Sequence, residues 1–431
     1  MELAGRLFKG DRVIWIVFMI LCLVSLVEVY SATSTLAYKS TTYWEPIARH
    51  AELLALGALA VLILHNFPYK YFYVLGLFLV VAILLLLATP FIGVEINGEP
   101  RWLSICGLSF QPSEVAKLCS VCFISLVLSK KDILGEKKTL CGILFLLLPT
   151  VFLIFMNNGS TALLLYVFMV MMLYIGCVSF KYIARLLIIP LVLGVIAAVT
   201  LYLMPESAMN YMPDRSVTWK HRIERFFEND RVDSSGNQIS LMDARNKHYQ
   251  EDAAKIAIAT GGVFGKFPGH GQMRDVLPQA FSDFIYAIII EETGLVGGLI
   301  VLFLYIVLLL RARVIAKRCD KLFPKYLILG CALMLVTQAL INMAVAVGAF
   351  PVTGQPLPLV SRGGTSTVIS CAYIGIMLSV SRFGANIRNE EDDYPEEEPQ
   401  DNENESVPLP GVTKEEIDNW MPDSHIVQEG N

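Results

Sequence analysis

The chain has 431 residues, of which 55% are hydrophobic and only 17% charged, and its mean hydropathy is +0.56. Soluble domains carry about 25% charged residues; a surplus of apolar side chains this large excludes a soluble core and makes lipid the solvent. The formal net charge of −5 hides an asymmetry, because fifteen Asp and Glu from Glu390 onward face one basic residue, Lys414. The remaining body is therefore basic, which suits an anionic ligand or anionic lipid, or the ordinary bias of cytoplasmic loops.

Ten apolar segments follow in order: 13–32, 50–66, 71–89, 111–129, 140–156, 159–177, 183–204, 283–310, 325–349 and 363–382. Each reaches the roughly 17 residues that a spanning helix needs. The first is long enough to span and no small-residue cleavage site follows it, so a cleavable signal is not expected. The fifth and sixth are read as two helices joined by a tight turn at Asn157-Asn158-Gly159, because one apolar helix of their joint length has no place in a bilayer. The fold class is thus an all-α polytopic membrane protein with about ten transmembrane helices. With the N-terminus inside, eighteen Lys and Arg fall in the inner segments and four (Lys39, Arg49, Arg101, Arg362) in the short outer ones, which places both termini in the cytoplasm. Residues 205–282, between helices 7 and 8, are then a long extracytoplasmic loop. Residues 384–431 read as an acidic, disordered cytoplasmic tail after a membrane domain of 1–383. Eight of the nine cysteines lie in apolar runs or on the inner side, leaving Cys106 alone outside, so no structural disulfide is expected.

Four places combine polar residues with the membrane. Arg101-Trp102 precede Gln111-Pro112-Ser113-Glu114, and Glu114 and Lys117 share a helix face at a spacing of three. They are either a buried ion pair or part of a pocket opening outward with Arg101 and Trp102 at its rim. The run from Gly261 to Gly271 holds five glycines in eleven residues. These serve either close backbone approach to a ligand or simple tight turns; the Gly-Lys-Ser/Thr of a nucleotide loop is missing. Ser282-Asp283 open helix 8, which continues into Glu291-Glu292. Asp283 is a helix cap, or an ionised carboxylate able to accept a proton or hold a cation. Residues 348–366 hold three prolines and four glycines between two spanning helices, which suggests a re-entrant, partly buried loop carrying Ser361 and Arg362.

Together these motifs resemble the SEDS family of bacterial cell-wall polymerases, which includes RodA and FtsW, over roughly residues 10–385. The resemblance rests on Arg101-Trp102, Gln111-Pro112-Ser113-Glu114 with Lys117, Gly261-Gly262, Ser282-Asp283-Phe284 with Glu291-Glu292, and Pro358-Leu359-Val360-Ser361 with Gly363-Gly364. It implies a ten-helix peptidoglycan glycosyltransferase that polymerises lipid II at the outer face of the cytoplasmic membrane and releases undecaprenyl pyrophosphate. It also implies that Asp283 is catalytic. Arg101, Trp102, Glu114, Lys117, Arg222, Ser361 and Arg362 are the implied substrate-binding residues, Arg222 by likeness to a loop arginine in Trp219-Lys220-His221-Arg222. No cofactor is assigned: Asp283 accepts the hydroxyl proton itself, or holds a divalent cation, magnesium or manganese, that does the same work. The implied partners are a class B penicillin-binding transpeptidase and other division proteins, with no nucleic acid. Asn157-Asn158 and the long acidic tail resemble the division branch, FtsW, and imply a place at the septum. Two departures stand out: Arg362 replaces the usual aromatic, and Thr353 replaces a lysine that some members carry; Arg362 would restore the charge. The alternatives are an elongation polymerase of the RodA type, a flippase for lipid II, and a non-catalytic scaffold.

Overall fold

A computed structural model describes residues 9–32, 45–96, 99–105, 108–203, 241–277 and 281–392. Residues 1–387 form one compact unit, which holds the membrane bundle, and residues 388–431 form a second. In chain order the elements are α1 (Arg12–Ala32), α2 (Glu45–Leu64), α3 (Tyr69–Ile92), strands β1 (Val94–Ile96), β2 (Glu99–Ile105) and β3 (Leu108–Phe110), α4 (Pro112–Ser129), α5 (Glu136–Asn157), α6 (Gly159–Ile175), α7 (Phe180–Leu203), α8 (Leu241–Gly261), α9 (Ile285–Lys317), α10 (Leu322–Ala346) and α11 (Thr365–Asp392). Among the described residues nine of these helices are long and apolar enough to cross a membrane, and α6, with 17 residues, is the tenth expected segment. The chain is therefore an all-α multi-pass membrane protein. All eight described cysteines are free thiols, and Cys106 lies outside the described residues.

Helix ends fall where local chemistry puts them. Asp11 caps α1, its Oδ1 accepting from the Val13 amide at 2.9 Å, while Oδ2 pairs with Arg311 at 2.6 Å and ties the start of α1 to the end of α9. Pro112 occupies the first turn of α4, where its missing N–H costs nothing. Asn158 adopts an extended backbone between α5 and α6 and caps the latter by accepting from the Thr161 amide at 3.2 Å, which is the expected turn. The centre of the bundle is α4, α10 and α11, whose spanning windows are 72–78% buried, whereas that of α7 is 6% buried and is left to lipid.

Three features depart from the expected layout. The segment before α4 is a small antiparallel meander, β1-β2-β3, with Val94 opposite Trp102 and Leu103 opposite Phe110. Part of the long loop is the 21-residue helix α8, which packs along α9. Helix α11 runs through residue 384, where the sequence predicts the start of the tail, and residues 393–431 lie outside the described residues.

The glycine-rich stretch after α8 has a structural explanation. Helix α9 is broken at Gly294 (φ 75°, ψ 180°). The stretch inserts at this break: the Lys266 amide donates to Glu291 O at 3.0 Å, the Phe267 amide to Glu292 O at 2.8 Å, and the Leu295 amide to Gly262 O at 3.0 Å. Backbone groups freed by the break are thereby paired, as an apolar surrounding demands. The two backbones approach so closely that a Cβ at Gly261, Gly265 or Gly294 would overlap the Ile290, Glu292 or Val263 carbonyl. Both readings of these glycines find a place: Gly261 and Gly265 allow close approach of the backbone to α9, and Gly262 and Gly269 adopt the positive φ of tight turns. We expect Gly265→Ala and Gly294→Ala each to lower the melting temperature of detergent-solubilised protein by several degrees or to abolish a monodisperse peak. Gly142→Ala, with nothing within 4 Å of the added carbon, should not destabilise. Equal melting of all three would contradict this packing.

Candidate functional site

The loop 347–364 joins α10 to α11 and is bonded to α10 through Gln338 and Asn342 and to residues 281–282, just before α9. Its conformation brings two short segments together. Ser361 Oγ donates to Ser282 O at 2.6 Å and the Arg362 amide donates to Phe281 O at 3.0 Å, so residues 361–362 lie alongside 281–282. The Arg362 guanidinium sits over the Phe281 ring, 5.6 Å from its centroid. Asp283 comes next. Its Oδ1 accepts from the Ser282 hydroxyl at 2.8 Å, and its Oδ2 faces Gly354, where even an added Cβ would stand 3.6 Å away. Its carbonyl accepts from Asn342 Nδ2 at 2.8 Å.

The cap reading of Asp283 is not what the structure shows. Helix α9 begins at Ile285 with Phe284 at the cap position, and no side chain accepts from its first amides. Among the described residues the Asp283 carboxylate has the Ser282 hydroxyl as its bonding partner and no cation within ion-pair distance. Burial pushes its carboxyl up from the ordinary aspartate range, against the Ser282 hydrogen bond, which pulls it down. Burial first, and Arg49 second, lower the Arg362 guanidinium from its usual value, which still leaves it charged.

Glu114 and Lys117 are together but not at an opening. Their side chains are 6% and 0% exposed and pair at 2.8 Å. Lys117 Nζ also donates to Gln338 Oε1 at 2.9 Å, and Gln338 Nε2 donates to Pro356 O at 3.0 Å. The pair thus reaches the loop from beneath through Gln338, and the structure brings out its ion-pair reading rather than a pocket facing outward. Trp102, half-buried on β2, lies against Gly364, whose added Cβ would stand 3.8 Å from the ring. Arg101 is on the same strand. Arg222 and Trp219 lie outside the described residues.

A second buried polar group surrounds the break in α9. Glu291 accepts from Lys266 Nζ at 3.0 Å and from the Gln272 amide at 2.8 Å, and Glu292 accepts from the Ser31 hydroxyl. These carboxylates fasten the glycine stretch to α9 and α1. Among the described residues no group of three or more His, Cys, Asp or Glu is placed to hold a metal ion.

Sequence reasoning missed Gln338, Asn342 and Gln355. Asn342 Nδ2 also donates to Gln355 O at 2.7 Å, and Gln355 Nε2 to Thr161 Oγ1 at 2.7 Å, so α6, α9 and α10 are joined under the loop. The signal was available: Gln338 and Asn342 are polar, one turn apart, in an otherwise apolar helix.

Two substitutions separate these roles. Glu114→Gln should cost about 3–5 kcal/mol of stability, because it leaves the buried Lys117 charge without its carboxylate. Asp283→Asn should not. The folded protein disfavours the ionised Asp283, so that cost is present at neutral pH and disappears as pH falls below about 4. The asparagine protein should therefore melt at or above the parent temperature at pH 7. A large drop there would restore a structural role to Asp283.

Comparison with known proteins bears on the whole bundle. The family model for FtsW, RodA and SpoVE, described as "Cell cycle protein", matches residues 11–386. A probable peptidoglycan glycosyltransferase FtsW of Haemophilus influenzae is 30% identical over 385 residues, 86% of this chain and 90% of that protein. A probable peptidoglycan glycosyltransferase FtsW of Trichlorobacter lovleyi is 29% identical over 391 residues, covering 87% and 94%. A chain from a structure reporting structural coordination of polymerization and crosslinking by a peptidoglycan synthase complex superposes with a TM-score of 0.64 at 23% identity, over 87% of this chain and 98% of that one. This last likeness concerns the fold.

Proposed function

Because this chain belongs to the FtsW, RodA and SpoVE family, we propose that it is a peptidoglycan glycosyltransferase that polymerises lipid II at the outer face of the cytoplasmic membrane. The observation that carries the reading is Asp283: a part-buried carboxylate just before α9, neither capping nor ion-paired among the described residues, with Oδ2 turned toward Gly354. A group kept ionisable at a stability cost fits a general base.

In this mechanism the hydroxyl of one lipid-linked disaccharide attacks the anomeric carbon of another. Asp283 Oδ2 takes the hydroxyl proton as the new glycosidic bond forms, and the bond to undecaprenyl pyrophosphate breaks with its electron pair on the leaving phosphate. Arg362, held on the Phe281 ring, meets the developing charge, and Arg101 and Arg222 are assigned the same duty on either substrate. Both lipid tails stay in the bilayer, which is why the chemistry belongs at the membrane rim. A divalent cation, magnesium or manganese, is the alternative partner of Asp283, though among the described residues no group of three or more His, Cys, Asp or Glu stands there to hold it. Such an ion would neutralise phosphate charge.

The curated relatives carrying the FtsW name support a septal role, with an elongation polymerase of the RodA type as the alternative. Crosslinking in the related synthase complex supports a class B penicillin-binding transpeptidase as partner, within a set of division proteins. Depletion that gives filaments supports the septal role; rounded cells would assign the protein to elongation.

Asp283→Asn should abolish glycan polymerisation by purified protein with its transpeptidase, a loss of about 10²–10⁴-fold, while insertion and partner binding persist. Full-length polymer from this variant would remove Asp283 from the mechanism. In the parent, activity requires ionised Asp283. It should therefore fall as pH drops, with a midpoint above the ordinary aspartate value of about 4.

Orientation has its own test. In a variant cleared of reactive cysteines, a cysteine at exposed His270 should label from outside the cell and one at exposed Ile133 should not. The reverse pattern would invert the topology and place Asp283 on the wrong side for lipid-linked substrate.

A further inference from the structure

The loop 347–364 contains a residue that it should not hold unaided. Leu359 sits in the left-handed region at φ 66° and is 1% exposed. A β-carbon makes this region unfavourable, and such strain persists only where the surroundings over-determine the backbone. Here the surroundings do so in a regular way. The carbonyls of Pro356, Pro358 and Val360, every second residue, each accept from a side chain of a different helix. Gln338 of α10 donates to Pro356 O at 3.0 Å, the Tyr305 hydroxyl of α9 donates to Pro358 O, and Ser25 Oγ of α1 donates to Val360 O at 2.7 Å. Ser25 has one proton and gives it to Val360, so His50 Nε2 of α2, 2.8 Å away, is the donor to Ser25 Oγ. The side chains of Tyr305, Ser25 and His50 are all within 1% of full burial.

Immediately after this suspended stretch come Ser361 and Arg362, which bond to Ser282 O and Phe281 O. The strained turn and its three supports therefore fix where Arg362 stands relative to Asp283. We infer that Tyr305, Gln338, and Ser25 with His50 behind it are positioning residues: they suspend the loop in its strained form and thereby hold Arg362 and Asp283 in register. This inference rests on the proposed polymerase reading and adds residues outside the family motifs.

A merely structural role and a positioning role differ in one respect. If the supports act by holding Leu359 left-handed, a glycine at 359, which adopts that conformation without steric cost, should replace a missing support. The test compares the parent, Tyr305→Phe, Ser25→Ala and each of these combined with Leu359→Gly. All are purified as full-length chains with the transpeptidase partner and assayed on lipid II, and amide hydrogen exchange is followed over 356–362. Each single variant should lower kcat roughly tenfold, with KM changed by less than about twofold and faster exchange in the loop. Adding Leu359→Gly should return kcat to within about threefold of the parent and slow the exchange again. Parent-like kcat and exchange in both single variants would overturn the inference, as would combined variants that are monodisperse yet no better than the single ones. If Tyr305→Phe does not fold, the Ser25→Ala pair decides. Should the parent itself make no polymer, the polymerase reading has failed, and rescue of exchange by Leu359→Gly still decides whether the loop is suspended as described.

Discussion

Inside a bilayer a backbone N–H or C=O that leaves the helix must find a partner in the protein, at a cost of several kcal/mol if it does not. Among the described residues, two departures from helix shape the site, the break in α9 and the loop 347–364, and the rest of the site depends on how each is satisfied. At the break in α9 the partner is backbone: the stretch 262–267 pairs with residues 291–296, and glycines are needed because nothing else lets two main chains approach so closely. In the loop 347–364 the partners are largely side chains, Gln338, Tyr305, Ser25 and Asn342, drawn from three helices. The first device makes a stiff platform under α9. The second fixes individual carbonyls and so can aim the groups that come after them.

The buried charges serve the same end. An ion pair such as Glu114–Lys117 contributes little net stability once the desolvation of both partners is counted. What it does contribute is a definite direction: Lys117 holds Gln338 by its oxygen, which turns the Gln338 amide nitrogen toward Pro356. Glu291 and Glu292 behave alike, binding Lys266, backbone amides and Ser31 so that the glycine stretch stays in the break. Charge in this bundle specifies where irregular backbone lies, and apolar packing supplies the stability.

The spans were legible because lipid imposes length and apolarity on each of them, and the Asn158 turn was legible because a bilayer cannot house the alternative. The small meander around Trp102 was not, since strands of three and seven residues at the membrane surface carry no periodic signal that stands out from a loop. Helix α8 was absorbed into a long polar connector for the same reason. The glycines between 261 and 271 announced close approach, but residue type alone does not say whether a ligand or another main chain does the approaching. For Asp283 the sequence left cap and base open, and the position of Phe284 at the start of α9 sets the cap aside. Tyr305 and Ser25 were invisible as functional residues, because a single hydroxyl in an apolar helix reads as ordinary until the carbonyl it serves is known.

Asp283 and Arg362 each have partners of their own. A carboxylate paired with a guanidinium is held well below the ordinary range and makes a poor base near neutral pH. A hold on either group elsewhere keeps such a pair from forming. The structure supplies it on both sides. Arg362 rests on the Phe281 ring and its amide is bound to Phe281 O, while the Asp283 carboxylate is turned to the Ser282 hydroxyl and its carbonyl is held by Asn342. Burial can then raise Asp283 toward the pH at which it would exchange a proton, and Arg362 is left with an unspent positive charge. The proposed reaction asks for a base at the hydroxyl proton and a cation at the departing phosphate, and the clasp between 281–282 and 361–362 holds the two segments that would carry them side by side.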